Sequence, residues 1–109
     1  MPLTRSFKDT VKARAKRDPE FRIGLFREAV EALLSEDLKT GKVLLRDYVN
    51  ATVGFETLAT ELDKSPKSLM RMLSDKGNPR ADNLLGMVGH LKKKEGVALS
   101  VTKGEGLHA

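Results

Sequence analysis

An all-α domain of five or six helices, closed by one short β-strand, is what this sequence predicts. Three observations carry that expectation. Apolar residues recur at spacings of three and four along most of the 109 residues, the mark of amphipathic helices. The pairs Asp18-Pro19 and Ser65-Pro66 stand where helices would begin, since the first residue can cap and a proline loses nothing at the first helical position. Only the run Val97–Thr102 alternates with period two, which is a strand pattern.

The elements follow in order. Residues 4–17 (TRSFKDTVKARAKR) form a basic N-terminal arm or helix over 1–17 whose apolar stripe is thin, Phe7 and Val11 alone. Such a helix docks loosely. Asp18 and Pro19 then open a helix to about Ser35, with Phe21, Leu25, Phe26, Ala29, Val30, Leu33 and Leu34 on a wide core-facing side. After a break at Glu36-Asp37, a helix runs from Leu38 or Gly41 to Asn50. Val43, Leu44, Tyr48 and Val49 face inward, with Leu45 shared between faces. Tyr48, the single tyrosine, has no acid or base beside it in the sequence and fits the edge of a core. The stretch Asn50–Gly54 is a connector.

Residues 55–73 (FETLATELDKSPKSLMRML) predict two short helices joined by a tight turn, Asp63-Lys64-Ser65. In Phe55–Leu62 the residues Leu58, Ala59 and Leu62 share one side. In Pro66–Leu73 the inward stripe is Leu69, Met72 and Leu73, so at about 100° per residue Lys67 and Arg71 point the other way, flanked by Ser68 and Met70. An apolar back and a cationic, hydroxyl-bearing front suit the DNA major groove.

The loop SDKGNPRADN comes next; Gly77 would close the preceding helix in a left-handed conformation, and Asn78-Pro79 stops its continuation. A last helix, about Ala81 to Lys94, packs through Leu84, Leu85, Val88 and Leu91 with Met87 beside them, and its lone His90 is structural. Lys92-Lys93-Lys94 suits a helix C-terminus before Gly96. The strand covers 97–103. With no second strand in the chain, Val97, Leu99 and Val101 would pair across a homodimer or add to a partner's sheet. Residues 104–109, with His108, form a disordered tail. The helical domain proper is thus 18–96.

Composition narrows the function classes. There is no Cys, so no disulfide, thiolate metal site or cysteine nucleophile. No signal peptide and no run of transmembrane length occurs, which predicts a cytoplasmic protein that does not enter a membrane. The net charge of +5 is unevenly spread: residues 1–17 and the chain from Lys64 onward are basic, whereas 18–63 is acidic. A polyanion-binding surface on an acidic scaffold produces that asymmetry, as do helix faces that are merely solvated.

The order Leu58-Ala59, Leu62, Ser65, Leu69, Met72 resembles the helix-turn-helix of the lambda-repressor-like regulators. The turn here carries Asp63 where glycine is common and Lys64 where an apolar residue usually plugs the corner, and Phe55 replaces a frequent glutamine. Across roughly residues 3 to 101, the blocks FREAVEALL, TGKVLLRDYVNAT, SLMRMLSDKGNPRADNL and HLKKKEG resemble the addiction-module antidote (antitoxin) proteins. That resemblance implies a homodimer that binds double-stranded DNA and represses its own operon, with a RelE-like or HigB-like toxin as partner. On this expectation Lys67, Ser68 and Arg71 read base edges, Arg71 a guanine, while Lys64, Ser65, Lys76 and Arg80 hold phosphates, joined by free N–H groups at the start of the last helix.

Enzymatic chemistry has little to stand on. Gly54, Gly77, Gly86 and Gly89 are scattered rather than gathered into a phosphate-cradling loop, and two histidines without cysteine or a close acid cluster predict neither metal nor cofactor. A toxin-type ribonuclease needs several strands, and one is available. The rival to DNA binding is therefore an interaction module that neutralises a toxin with little DNA binding of its own.

Overall fold

In the computed structural model, residues 5–104 are described; the expectations for Thr4, for the tail beyond 104 and for His108 lie outside them. Six helices follow in order: α1 (Arg5–Arg17), α2 (Pro19–Leu34), α3 (Leu38–Ala51), α4 (Phe55–Leu62), α5 (Pro66–Met72) and α6 (Ala81–Glu95). The fold is all-α, and none of these helices is long and apolar enough to cross a membrane.

Local chemistry places the boundaries. The Asp18 carboxylate accepts the Phe21 N–H at 3.2 Å and so caps α2, with Pro19 at its first position. Asp37 caps α3 in the same way through Thr40 N–H, at 3.2 Å; the Thr40 side chain first, and then this N–H, hold its carboxyl below the usual carboxylate range. Gly54 (φ 81°) precedes α4, and Gly96 (φ 74°) ends α6 in the left-handed conformation that glycine adopts freely.

α2 and α3 form a helical hairpin with the most extensive contact in the molecule, and α4 and α5 form the second pair. One core joins them: Phe26, Ala29 and Val30 of α2, Leu45, Tyr48 and Val49 of α3, Phe55, Leu58 and Ala59 of α4, Leu69 and Leu73 around α5, and Met87 and Leu91 of α6. The Phe26 and Tyr48 rings meet at 5.3 Å between centroids. Gly41 lets α3 approach α2, since a Cβ there would press on Leu33, whose Cγ would lie 2.7 Å away. Beside the core, Glu95 accepts two hydrogen bonds from Arg22 Nε, at 2.8 and 3.0 Å, and one from the Tyr48 hydroxyl. Burial and the adjoining Glu95 carboxylate push the Tyr48 phenol's pKa up, so it stays a donor.

The segment with Val97, Leu99 and Val101, expected to pair with another chain, is irregular here, with Val97 packed on the core and Leu99 and Val101 exposed. Three expectations are corrected. The face of α3 is rotated from the one expected. Leu45 is fully buried and Val43 is 40% exposed, since the inward line runs through Gly41, Lys42, Leu45, Tyr48 and Val49. Leu34 and Leu85, assigned to core faces, are 78% and 66% exposed. Finally, α1 fully buries Ala15, which lay outside the expected stripe, its carbonyl accepting from Arg22 Nη1 at 2.8 Å, while Phe7 is 52% exposed.

Candidate nucleic-acid interface

α5 is short, and its direction is set by what holds each end. At the start, Ser65 Oγ accepts the Ser68 N–H at 3.1 Å and Pro66 takes the first helical position. The preceding turn passes through Asp63 in the left-handed conformation (φ 56°, ψ 48°), with Lys64 N–H donating back to Ala59 O at 2.9 Å. Ala59 is buried there, and its small side chain allows the two helices to cross closely. Asp63 thus does the job for which glycine is the common choice.

At the far end, α3 reaches across to collect the carbonyls. Lys42 Nζ donates to Ser74 O at 2.8 Å, Asp75 O at 3.2 Å and Gly77 O at 2.6 Å. Arg46 Nη1 donates to Leu73 O at 3.2 Å. Arg46 thus holds the carbonyl of the residue that caps α5, and Lys42 holds three carbonyls of the loop that follows it. Lys42 is only 5% exposed, a buried charged residue. The three bonds are the condition for burying its ammonium. Gly77 is needed here for space and not for a left-handed turn, which corrects the expectation. Its φ is not positive, but a Cβ would strike Arg71 O and lie 2.8 Å from Met72 O.

With both ends held, the apolar side of α5 goes inward. Leu69 and Leu73 are fully buried and Met72 half-buried, while Lys67, Met70 and Arg71 are exposed and Ser68 half-exposed. Ser68, Arg71 and Lys76 come together around an open cleft of about 430 Å³ between α5 and the Ser74–Pro79 loop. Lys64 and Lys67 lie at the other end of α5, and neither lines this cleft. Ser65 is committed as a cap through its oxygen, yet its hydroxyl proton remains free to donate.

Arg80 has an acidic neighbour. Its guanidinium lies 3.3 Å from the Asp82 carboxylate, both groups well exposed. Asp82 also accepts the Asn83 N–H at 2.9 Å. The start of α6 therefore already carries a carboxylate at its positive end, and its N–H groups are not all free for a phosphate.

α4 is tied to α6 by Glu61, whose carboxylate accepts from His90 Nε2 at 2.7 Å and Lys94 Nζ at 2.9 Å. These partners, His90 first, hold the Glu61 carboxyl below its usual range. His90 is structural in this sense: it braces the first helix of the pair.

Lys42 and Arg46 are the residues that reading the sequence missed. The available signal was spacing, because Lys42, Leu45 and Val49 fall at i, i+3 and i+7 and share one helical face. No family model matches the chain, and no curated protein or solved structure matches it significantly.

Proposed function

We propose that this chain is a sequence-specific DNA-binding regulator of the lambda-repressor-like helix-turn-helix type, with α4 as supporting helix and α5 as recognition helix. One observation carries the reading: α5 presents Lys67 and Arg71 to solvent from a helix whose opposite side packs inward through Leu69 and Leu73, with Arg46 and Lys42 holding its C-terminal end and the loop after it. A helix held that firmly offers cations and a hydroxyl at set positions, which is what base-edge readout requires. Ser68 and Arg71, with Lys67, read bases; Lys64, Ser65 and Lys76 hold phosphates. Arg80 joins them once it leaves Asp82. The chain acts as a homodimer on a two-fold operator, repressing by occupancy and catalysing nothing.

The test is a gel-shift titration against DNA from the gene's own promoter at two salt concentrations, with a scrambled duplex as control. Preference for the promoter at both salts supports the reading; equal binding to both duplexes overturns it.

A second role, neutralising a RelE-like or HigB-like toxin, is favoured by the exposed Leu99 and Val101 beyond α6, an alternating segment suited to join another chain's sheet. Co-expression with a neighbouring toxin-like reading frame tests it. A complex that survives in the full chain but not in a Leu99→Asp/Val101→Asp variant supports the role, and no complex at all removes it.

A further inference from the structure

We infer that the cavity between α1, α3 and α6 is a binding site for a small amphipathic anion, with a carboxylate or sulfonate head and a compact apolar body. The cavity measures about 450 Å³, within the usual range for small-molecule sites. Its inner wall is apolar, made by Ala15, Ala51 and Leu91, all buried, with half-buried Val53 beside them. Lys12 and Lys16 also line it; both are exposed, and neither has a partner among the described residues.

The polar groups at its base would not repel such a ligand. The Glu95 carboxylate, 5% exposed, is compensated by Arg22 and the Tyr48 hydroxyl. Arg22 spends Nε on Glu95 and Nη1 on Ala15 O, which leaves Nη2 without a protein partner among the described residues. Cations at the mouth and hydrocarbon within select against the simpler alternatives. An inorganic anion leaves the apolar wall uncovered, and a neutral hydrocarbon leaves two lysines unused. No residue of α4, α5 or the loop after α5 lines the cavity, so the site stands or falls independently of DNA binding.

The probe is anilinonaphthalene sulfonate, whose fluorescence rises in apolar surroundings, titrated into the full chain. Saturable binding of one probe per chain is expected, together with a rise in Tm, as for any ligand of the native state. Lys12→Gln/Lys16→Gln should bind about fivefold to tenfold more weakly, two exposed charge contacts being removed. A control, Lys39→Gln/Lys103→Gln, removes the same charge elsewhere and should bind as the parent does. The uncharged analogue phenylnaphthylamine should bind more weakly than the sulfonate and ignore the Lys12/Lys16 change. Absence of saturable binding, a fall in Tm, or equal affinity in the two double variants would overturn the inference.

Discussion

The ammonium nitrogen of Lys42, on α3, lies 2.6 Å from the carbonyl oxygen of Gly77 in the loop that follows α5. The contact joins the acidic helical scaffold to the basic C-terminal half, and with Ser74 O and Asp75 O it makes the ammonium the organising centre of that loop. Lys42→Met keeps the length and apolar stem of the side chain but removes every donor. The carbonyls then face a thioether in a largely covered place, at a cost of about 1–3 kcal/mol. Chemical denaturation should show that loss with helical content in the native baseline unchanged. A variant as stable as the parent would mean that water replaces the ammonium without penalty.

Gly77 and Gly86 make a matched pair for the next expectation. A methyl at Gly77 meets backbone carbonyl oxygen, which cannot rotate away, so Gly77→Ala should destabilise by about 1–3 kcal/mol. A Cβ added at Gly86, in the interior of α6, would meet nothing within 4 Å outside its own helix. Gly86→Ala should therefore stabilise by about 0.5–1 kcal/mol through helix propensity. Thermal melts of the two variants should move in opposite directions.

Asp63 holds a left-handed conformation at the corner between α4 and α5. For an L-residue that conformation costs about 1–2 kcal/mol, less for Asp than for most, and glycine escapes the cost while losing more chain entropy on folding. Asp63→Gly should thus raise stability by up to about 1 kcal/mol, whereas Asp63→Val should lower it. If both variants melt alike, the corner tolerates other conformations.

The helices were legible because their punctuation is local: Asp18-Pro19, Ser65-Pro66 and Gly96 act on neighbours within one turn. The solvent-facing side of α5 was legible too, since in a short helix Leu69 and Leu73 leave one orientation for Lys67 and Arg71. What escaped is long-range. Lys42 is separated by 32 to 35 residues from the carbonyls it holds, and a lysine next to the run Val43-Leu44-Leu45 looks solvated until those partners are in place. The same blind spot misplaced Val43, because three consecutive apolar residues leave the helix phase undetermined. Glu95 has no local signal of its role, and only folding brings it to Arg22 and Tyr48.

Acid should loosen the brace between α4 and α6. Glu61 is held below its usual carboxylate range by His90 and then Lys94. A carboxyl with a depressed folded pKa adds stability that is complete above its unfolded value, 4.5 here, and is lost as pH falls through the folded value. Glu61→Gln should therefore be less stable than the parent at pH near 6 and converge on it as pH falls below 4.5. Denaturation midpoints of both proteins across that window measure the gap. A gap constant down to strong acid would show that the Glu61 charge contributes nothing to the brace.

Arg71 and Lys76 line the same cleft yet should fail differently on DNA. Arg71 stands on α5, the proposed recognition helix, where a guanidinium can form two parallel bonds to a guanine edge. Arg71→Ala should cost about 1–3 kcal/mol on the operator, far less on random duplex, and relax the preference at one base pair. Lys76 lies in the loop, beyond the helix, and suits a phosphate. Lys76→Ala should weaken operator and random DNA by the same factor and flatten the slope of log K against log salt by about one unit. The two signatures separate base reading from charge neutralisation within a single set of salt titrations. Identical behaviour of the variants on both duplexes would reduce this face to a nonspecific cationic surface and remove sequence recognition from α5.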